Sequence, residues 1–237
     1  MAYAFAAGGT AACDPFGRPE ISARCAFYSE GRSHPDPGRS ADVSEGAKKG
    51  AVYEDLYDVP ENMIGEIIDG ELVVTPRPSP RHSHTASVLG GELIPPYRLG
   101  RGGPGGWIIL GEVEILFGRD LLVPDLSGWR RERFPGWPSE NWFSVAPDWV
   151  CEVLSPGTAA RDKVAKLNIY ASHGVQHYWL VDPHHRTLDV LQLGPDHRWV
   201  VWGSFAGDAK VRAEPFPETE LNLQDLWAPE PRSGLEM

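Results

Sequence analysis

The chain has 237 residues, 41% hydrophobic and 23% charged, a composition that suits one soluble domain with additions better than two full domains. Against 22 Lys and Arg stand 33 Asp and Glu, a formal net charge of −11. Avid sequence-independent nucleic-acid binders are basic because phosphate neutralisation drives their affinity, so this balance argues against a DNA coat protein. It argues less against an enzyme that gathers acid around a divalent metal.

Cys13, Cys25 and Cys151 are an odd number without Cys-x-x-Cys spacing, which speaks against a disulfide framework or a zinc site and for a reducing cytoplasm. The first positive side chain is Arg18, so the N-terminus lacks the basic start of a secretory signal. No apolar run has the length of a bilayer span, and a cytoplasmic location without a membrane partner is expected.

In chain order, residues 1–48 hold Gly, Ala, Ser, Pro and mixed charges without a sustained period and read as a flexible extension. Residues 49–228 form the expected domain, and 229–237 a tail. The domain opens at AVYEDLYDVPENM, where Val52, Leu56 and Val59 recur at helical spacing. GEIIDGELVV sets two β-prone runs around Asp69-Gly70, a hairpin turn. SHTASVLGGELIPPY predicts a helix that Pro95-Pro96 must end. WIILGEVEILF and RDLLVPDLSGW predict two strands, and APDWVCEVLSP a third. TAARDKVAKLNIYASHG predicts a helix with Val164, Leu167 and Ala171 on one face and Gly174 as its stop. HYWLVDP, TLDVLQL and RWVVWGSF predict three more strands, and LNLQDLW a short helix packed back on the domain. The pattern implies an α/β (α+β) architecture, a mixed central sheet flanked by helices with additional antiparallel C-terminal strands.

Two acids interrupt apolar strands: Asp125 in LLVPDL and Glu152 in WVCEVL. A buried carboxylate needs a cation, a metal or hydrogen bonds, so both placements ask for partners. A helix lysine follows Glu152 within one βα unit, and Lys163, Lys166 and Tyr170 share one side of that helix. Two acids and an ammonium are a minimal set for hydrolysing a phosphodiester with a divalent metal. From residue types alone the structural reading stands ahead, because strand-end acids and helix lysines are common. Lys166 could simply pair with Asp162 at i+4 on a solvated face.

The ordered segments YEDLYDVPENMIGEIIDGELVVTPRPSPRH, LLVPDLSGWRRERFP and APDWVCEVLSPGTAARDKVAKLNIYASHGVQHYWLVDP resemble the Uma-2 family of endonucleases, in the restriction-endonuclease-like PD-(D/E)XK superfamily. The likeness runs from about Tyr53 to Trp227 and reverses that balance. It implies that Asp125 is the PD aspartate, that Glu152 is the second metal ligand, and that the catalytic lysine has moved from position 154, here Leu154, to Lys166. By the same resemblance Glu66 is an acid near the metal, and His82 matches a recurrent histidine. Lys163 and Tyr170 stand as possible support. His177 departs from the glutamate common there in the family. The resemblance implies a Mg²⁺- or Mn²⁺-dependent endonuclease acting on DNA, with a homodimer suited to cutting two strands.

Two other readings remain open: a catalytically inactive nuclease-fold module for nucleic-acid or protein interaction, and a metal-free glycosidase using Asp125 and Glu152 as an acid–base pair. The loop Gly102-Gly103-Pro104-Gly105-Gly106 lacks the Lys-Ser/Thr of a phosphate loop, which excludes nucleotide binding on that motif. Arg130, Arg131 and Arg133, with Trp129, Trp137 and Trp142, read as a charged loop and lid packing rather than as nucleic-acid contacts.

Overall fold

The chain is described by a computed structural model over residues 48–229. The expected extension and tail fall outside these residues except at their inner ends.

Strands β1 (Lys48–Lys49), β2 (Met63–Ile68), β3 (Glu71–Pro76), β4 (Trp107–Gly111), β5 (Glu114–Phe117), β6 (Asp120–Leu122), β7 (Leu126–Arg130), β8 (Trp142–Phe143) and β9 (Trp149–Val153) precede the helix that follows Glu152. After it come β10 (His177–Asp182), β11 (Thr187–Leu193), β12 (Trp199–Ala206), β13 (Lys210–Val211) and β14 (Leu221–Asn222). They build two six-stranded sheets, in the orders β1-β3-β2-β6-β5-β8 and β12-β11-β10-β9-β7-β4, while β13 and β14 pair by themselves. The single central sheet expected from the sequence is thus two sheets. The runs WIILGEVEILF and RDLLVPDLSGW each break into two strands because the chain crosses between sheets at Gly111–Val113 and again at 123–125. Pro124 suits the second crossing, since it has no N–H to give to a ladder.

The hairpin between β2 and β3 turns on Asp69 (φ 54°) and Gly70 (φ 73°), both left-handed as a two-residue I′ turn requires. The segment before it is a 3₁₀ helix, Tyr53–Asp58. Helix α1 (Pro80–Leu93) starts earlier than its apolar pattern shows. Ser79 caps it, its hydroxyl oxygen accepting the His82 N–H at 3.3 Å, and Pro80 takes the first helical position. The Pro95-Pro96 pair ends the α pattern at Leu93 but not the coil. A π turn, Ile94–Arg98, carries it on, closed by Leu99 N–H on the Ile94 carbonyl at 3.1 Å.

The second helix, here α2, is composite: Ala159–Arg161, a π turn at Asp162–Lys166, then Leu167–Ser172, with Gly174 (φ 74°) beyond it. Its expected apolar face holds at Ala171, which is buried, and at Leu167, which packs against a core, but is corrected at Val164. Val164 is 62% exposed, whereas Asp162, Lys166, Ile169 and Tyr170 are buried. The wide turn rotates the face that the sequence period assigns. LNLQDLW is β14 followed by a 3₁₀ turn, Leu223–Leu226, which docks on α1 through the Thr85 hydroxyl and the Leu226 carbonyl at 2.7 Å.

Strand β9 is buried along its whole length and its alternate side chains enter two different cores. Trp149, Cys151 and Val153 join an aromatic core with Trp179, Tyr97, Trp107 and Phe216. Val150 and Leu154 join a second core with Ile115, Phe117, Leu122 and Tyr170, so Glu152 between them faces that side. Among the described residues no helix is long and apolar enough to cross a membrane.

Candidate active site

Strand pairing assembles the site. Leu126 of β7 lies opposite Cys151 of β9, so one step further along the antiparallel ladder Asp125 stands beside Glu152. Asp125 sits where the chain leaves the first sheet for the second, and its Oδ2 accepts the Val153 N–H at 2.7 Å. The same crossing holds a second acid: Val123 N–H donates to Glu66 Oε1 at 2.9 Å. Glu66 comes from β2, next to β6 in the first sheet. Two sheets therefore deliver three carboxylates to one place through a three-residue crossing, 123–125.

Lys166 closes the cluster from α2. Its Nζ lies 2.9 Å from Glu66 Oε1, 3.2 Å from Glu152 Oε1 and 3.4 Å from Asp162 Oδ1. All four side chains are buried, with Lys166 at 4% and Glu152 at 3% exposure. Tyr170, one turn on, donates its hydroxyl to Glu152 Oε1 at 2.6 Å. The pairing of Lys166 with Asp162 does form, but on a buried face. Lys163, by contrast, is exposed, outside the buried cluster. His82 arrives from α1, its Nε2 3.3 Å from Asp125 Oδ2. His82 is buried.

The electrostatics follow from burial. Removal from water pushes the Glu152 carboxyl well above the usual carboxylate range; Lys166 opposes this, while Asp162, Asp125 and Glu66 add to it. Burial pulls the Lys166 ammonium down, but Glu152, Glu66 and Asp162 outweigh it and hold its pKa well above the ordinary lysine value. Lys166 therefore stays charged. Burial likewise lowers His82, and the hydrogen bond and charge of Asp125 more than reverse that. Burial also pushes the Asp162 carboxyl up. Three carboxylates share one ammonium, before Asp125 is counted, so the acids outnumber the cation and favour taking up a proton or a further cation.

Among the described residues, no three His, Cys, Asp or Glu side chains form a set that would hold a metal unaided. Magnesium seldom asks for one: it takes one or two carboxylates and completes its shell with water and substrate phosphate. Asp125 and Glu152 suit that role. Their hydrogen bonds run to Oδ2 and Oε1, leaving the second oxygen of each carboxylate for a cation. A divalent ion would supply the positive charge that these crowded acids lack.

The basic loop behaves otherwise than a nucleic-acid contact. Arg133 pairs with Asp148, Arg130 lies over the Trp107 ring at 4.7 Å, and Trp129 is fully buried. Arg130, Arg131 and Arg133 are nonetheless exposed, as is Trp137, at 67%. His177 is buried beside Arg130 and Asp148. Burial and the Arg130 charge push its pKa down to about 4.

Asp162 is the residue that the motif does not announce. Its signal was the i, i+4 spacing to Lys166, which reads equally well as a surface pair. The backbone N–H groups of Val123 and Val153, which fix Glu66 and Asp125, leave no trace in the sequence.

Mixed sheets with few helices and a buried acid–lysine centre define a nuclease-like α+β fold. A structure of similar fold is that of a protein from Anabaena variabilis described as "a putative nuclease belonging to DUF820". It is 27% identical, with a TM-score of 0.60 over 75% of this chain and 97% of that one. A family model described as "Uma2: Putative restriction endonuclease" matches residues 52–224, and the chain belongs to that family. The search of curated proteins finds no match.

Proposed function

We propose that this chain is a divalent-metal-dependent endonuclease that hydrolyses DNA phosphodiester bonds. The observation that carries the reading is the convergence of Glu66, Glu152 and Asp162 on Lys166, beside Asp125. Asp125 and Glu152 are the ligands for Mg²⁺ or Mn²⁺, with Glu66 close by. When bound, the ion neutralises phosphate charge and makes a bound water more acidic. Lys166, kept protonated by its neighbours, cannot take a proton. Its part is to orient the attacking water and to stabilise negative charge growing on the phosphate. Tyr170 and the Val153 N–H fix the Glu152 and Asp125 carboxylates, and Glu66 and Asp162 fix Lys166. Water adds to phosphorus and the P–O3′ bond breaks, leaving a 5′-phosphate and a 3′-hydroxyl. A homodimer in the cytoplasm would present two such sites to the two strands.

The test is cleavage of plasmid, linear and single-stranded DNA with Mg²⁺ or Mn²⁺. Nicking that stops with chelator and in Asp125→Asn supports the proposal. Cleavage indifferent to both would overturn it, and metal-free hydrolysis of a glycoside would point to the acid–base pair instead. The second reading, an inactive binding module, draws on the closed network in which Lys166 and Glu152 satisfy each other. It requires that Mn²⁺ fail to bind.

A further inference from the structure

Next to the acid cluster lies a cleft of about 280 Å³, bounded by the 3₁₀ helix Tyr53–Asp58 and its C-terminal edge and by the starts of β2 and β5. It shares walls with the cluster. Val123 lines the cleft while its N–H holds Glu66, whose side chain leaves β2 on the face opposite Gly65 of the cleft wall. Glu112 lines it as well, its N–H donating to the Asp125 carbonyl at 3.2 Å and its charge acting on His82. The cleft therefore stands beside the phosphodiester that the proposed metal centre would hold.

Its chemistry is divided. Leu56, Val59, Met63 and Val123 line it with apolar surface, beside Glu61, Glu112, Glu114 and a single cation, Arg77, whose guanidinium donates to the Glu61 carbonyl at 3.2 Å. Glu112 is held at φ 48°, a left-handed backbone that a non-glycine residue adopts only where its surroundings enforce it. A phosphate would meet mostly negative charge here. A flat neutral group that offers N–H donors meets apolar side chains and the Glu112 carboxylate, while Glu114 already accepts from the Tyr53 hydroxyl at 2.8 Å. The volume lies just below the range of sites for drug-sized ligands, which suits a single ring system. Tyr57, from the bounding 3₁₀ helix, is 71% exposed and offers a ring on which a neighbouring base can stack.

We infer that this cleft takes one unpaired, amino-bearing nucleobase (cytosine or adenine in preference to thymine) from the nucleotide beside the scissile phosphate, with Arg77 at the flanking backbone. Carboxylates accept from the exocyclic amine of cytosine, and thymine has none to give. A paired base cannot enter, so the preferred substrate is single-stranded or locally opened. The inference rests on the nuclease reading for the identity of the ligand.

Fluorescence anisotropy of labelled oligo(dC), oligo(dA), oligo(dT) and a duplex, in chelator so that nothing is cut, tests it. The expected order is oligo(dC) and oligo(dA) about 10-fold tighter than oligo(dT), with the duplex weakest. Glu112→Gln, an exposed position, should shrink the base preference, and Arg77→Ala should weaken all single strands alike. Equal binding of oligo(dC) and oligo(dT), or a duplex bound as tightly as either, overturns the inference. Metal-dependent cleavage with no base preference would sink the cleft alone. Base-selective binding without cleavage would sink the nuclease reading alone.

Discussion

The two faces of β9 put the same backbone to opposite uses. On one, Trp149 packs edge-to-face against Trp179 and Phe216, with ring centroids 5.4 and 4.9 Å away, and stability comes from apolar area and shape. On the other, Glu152 sits as deeply buried but is held by Lys166 and Tyr170, so stability there depends on charge balance. The aromatic face tolerates no lost volume. The charged face tolerates no lost partner, and its excess of acid makes it a centre rather than a core.

The sharpest way to break this comparison is to remove one residue from each side. Lys166→Met should cost about 3–5 kcal/mol, because it strands three buried carboxylates without a counter-charge. Phe216→Ala should cost a similar ~3–5 kcal/mol by leaving a cavity among the indoles. The mechanisms separate in denaturant titrations: adding Glu152→Gln should recover part of the loss in Lys166→Met and none in Phe216→Ala. Equal responses in both would erase the distinction.

Acid titration comes next. His177 has an ordinary value of 6.5 that falls to about 4 in the folded chain. The unfolded chain therefore binds its proton first, so stability is intact above 6.5 and declines as the pH drops from there toward 4. The loss is roughly 3 kcal/mol at most, and His177→Gln should remove this part of the acid sensitivity. An unchanged pH profile in that variant would remove His177 from the account. Metal should act on the charged face alone: Mn²⁺ at 100 times its dissociation constant should raise stability by about 2.7 kcal/mol, and by nothing in Asp125→Asn. The smallest effect is expected on the aromatic side, where Thr85→Val leaves the Leu226 carbonyl without its donor. About 1–3 kcal/mol in thermal denaturation, with cleavage unchanged, is the expected result.

Much of the site was legible because burying an acid is costly enough to mark its position. Asp125 and Glu152 stood out as charges inside apolar strands, and helical spacing put Lys163, Lys166 and Tyr170 on one side, the choice of Lys166 coming from the resemblance. Glu66 and His82 came from the resemblance. The hairpin at Asp69-Gly70 was legible because few dipeptides accept two left-handed residues. The division into two sheets was not, since a crossing strand and a continuous one share the same alternation of side chains. Nor was the place of Val164, which points to solvent against its period while Leu167 and Ala171 pack inward. Hydrogen bonding inside a helix, not hydrophobicity, decides that place.

The π turn at Asp162–Lys166 also bears on how this protein can change over generations. An α-helix advances about 100° per residue, whereas the wider turn advances less, so Asp162, Lys166 and Tyr170 stay near one line although they are four apart. Excising a single residue there would restore ordinary helical bonding and still swing Tyr170 away from Glu152. Losing one codon from this stretch should therefore cost the Tyr170–Glu152 hydrogen bond.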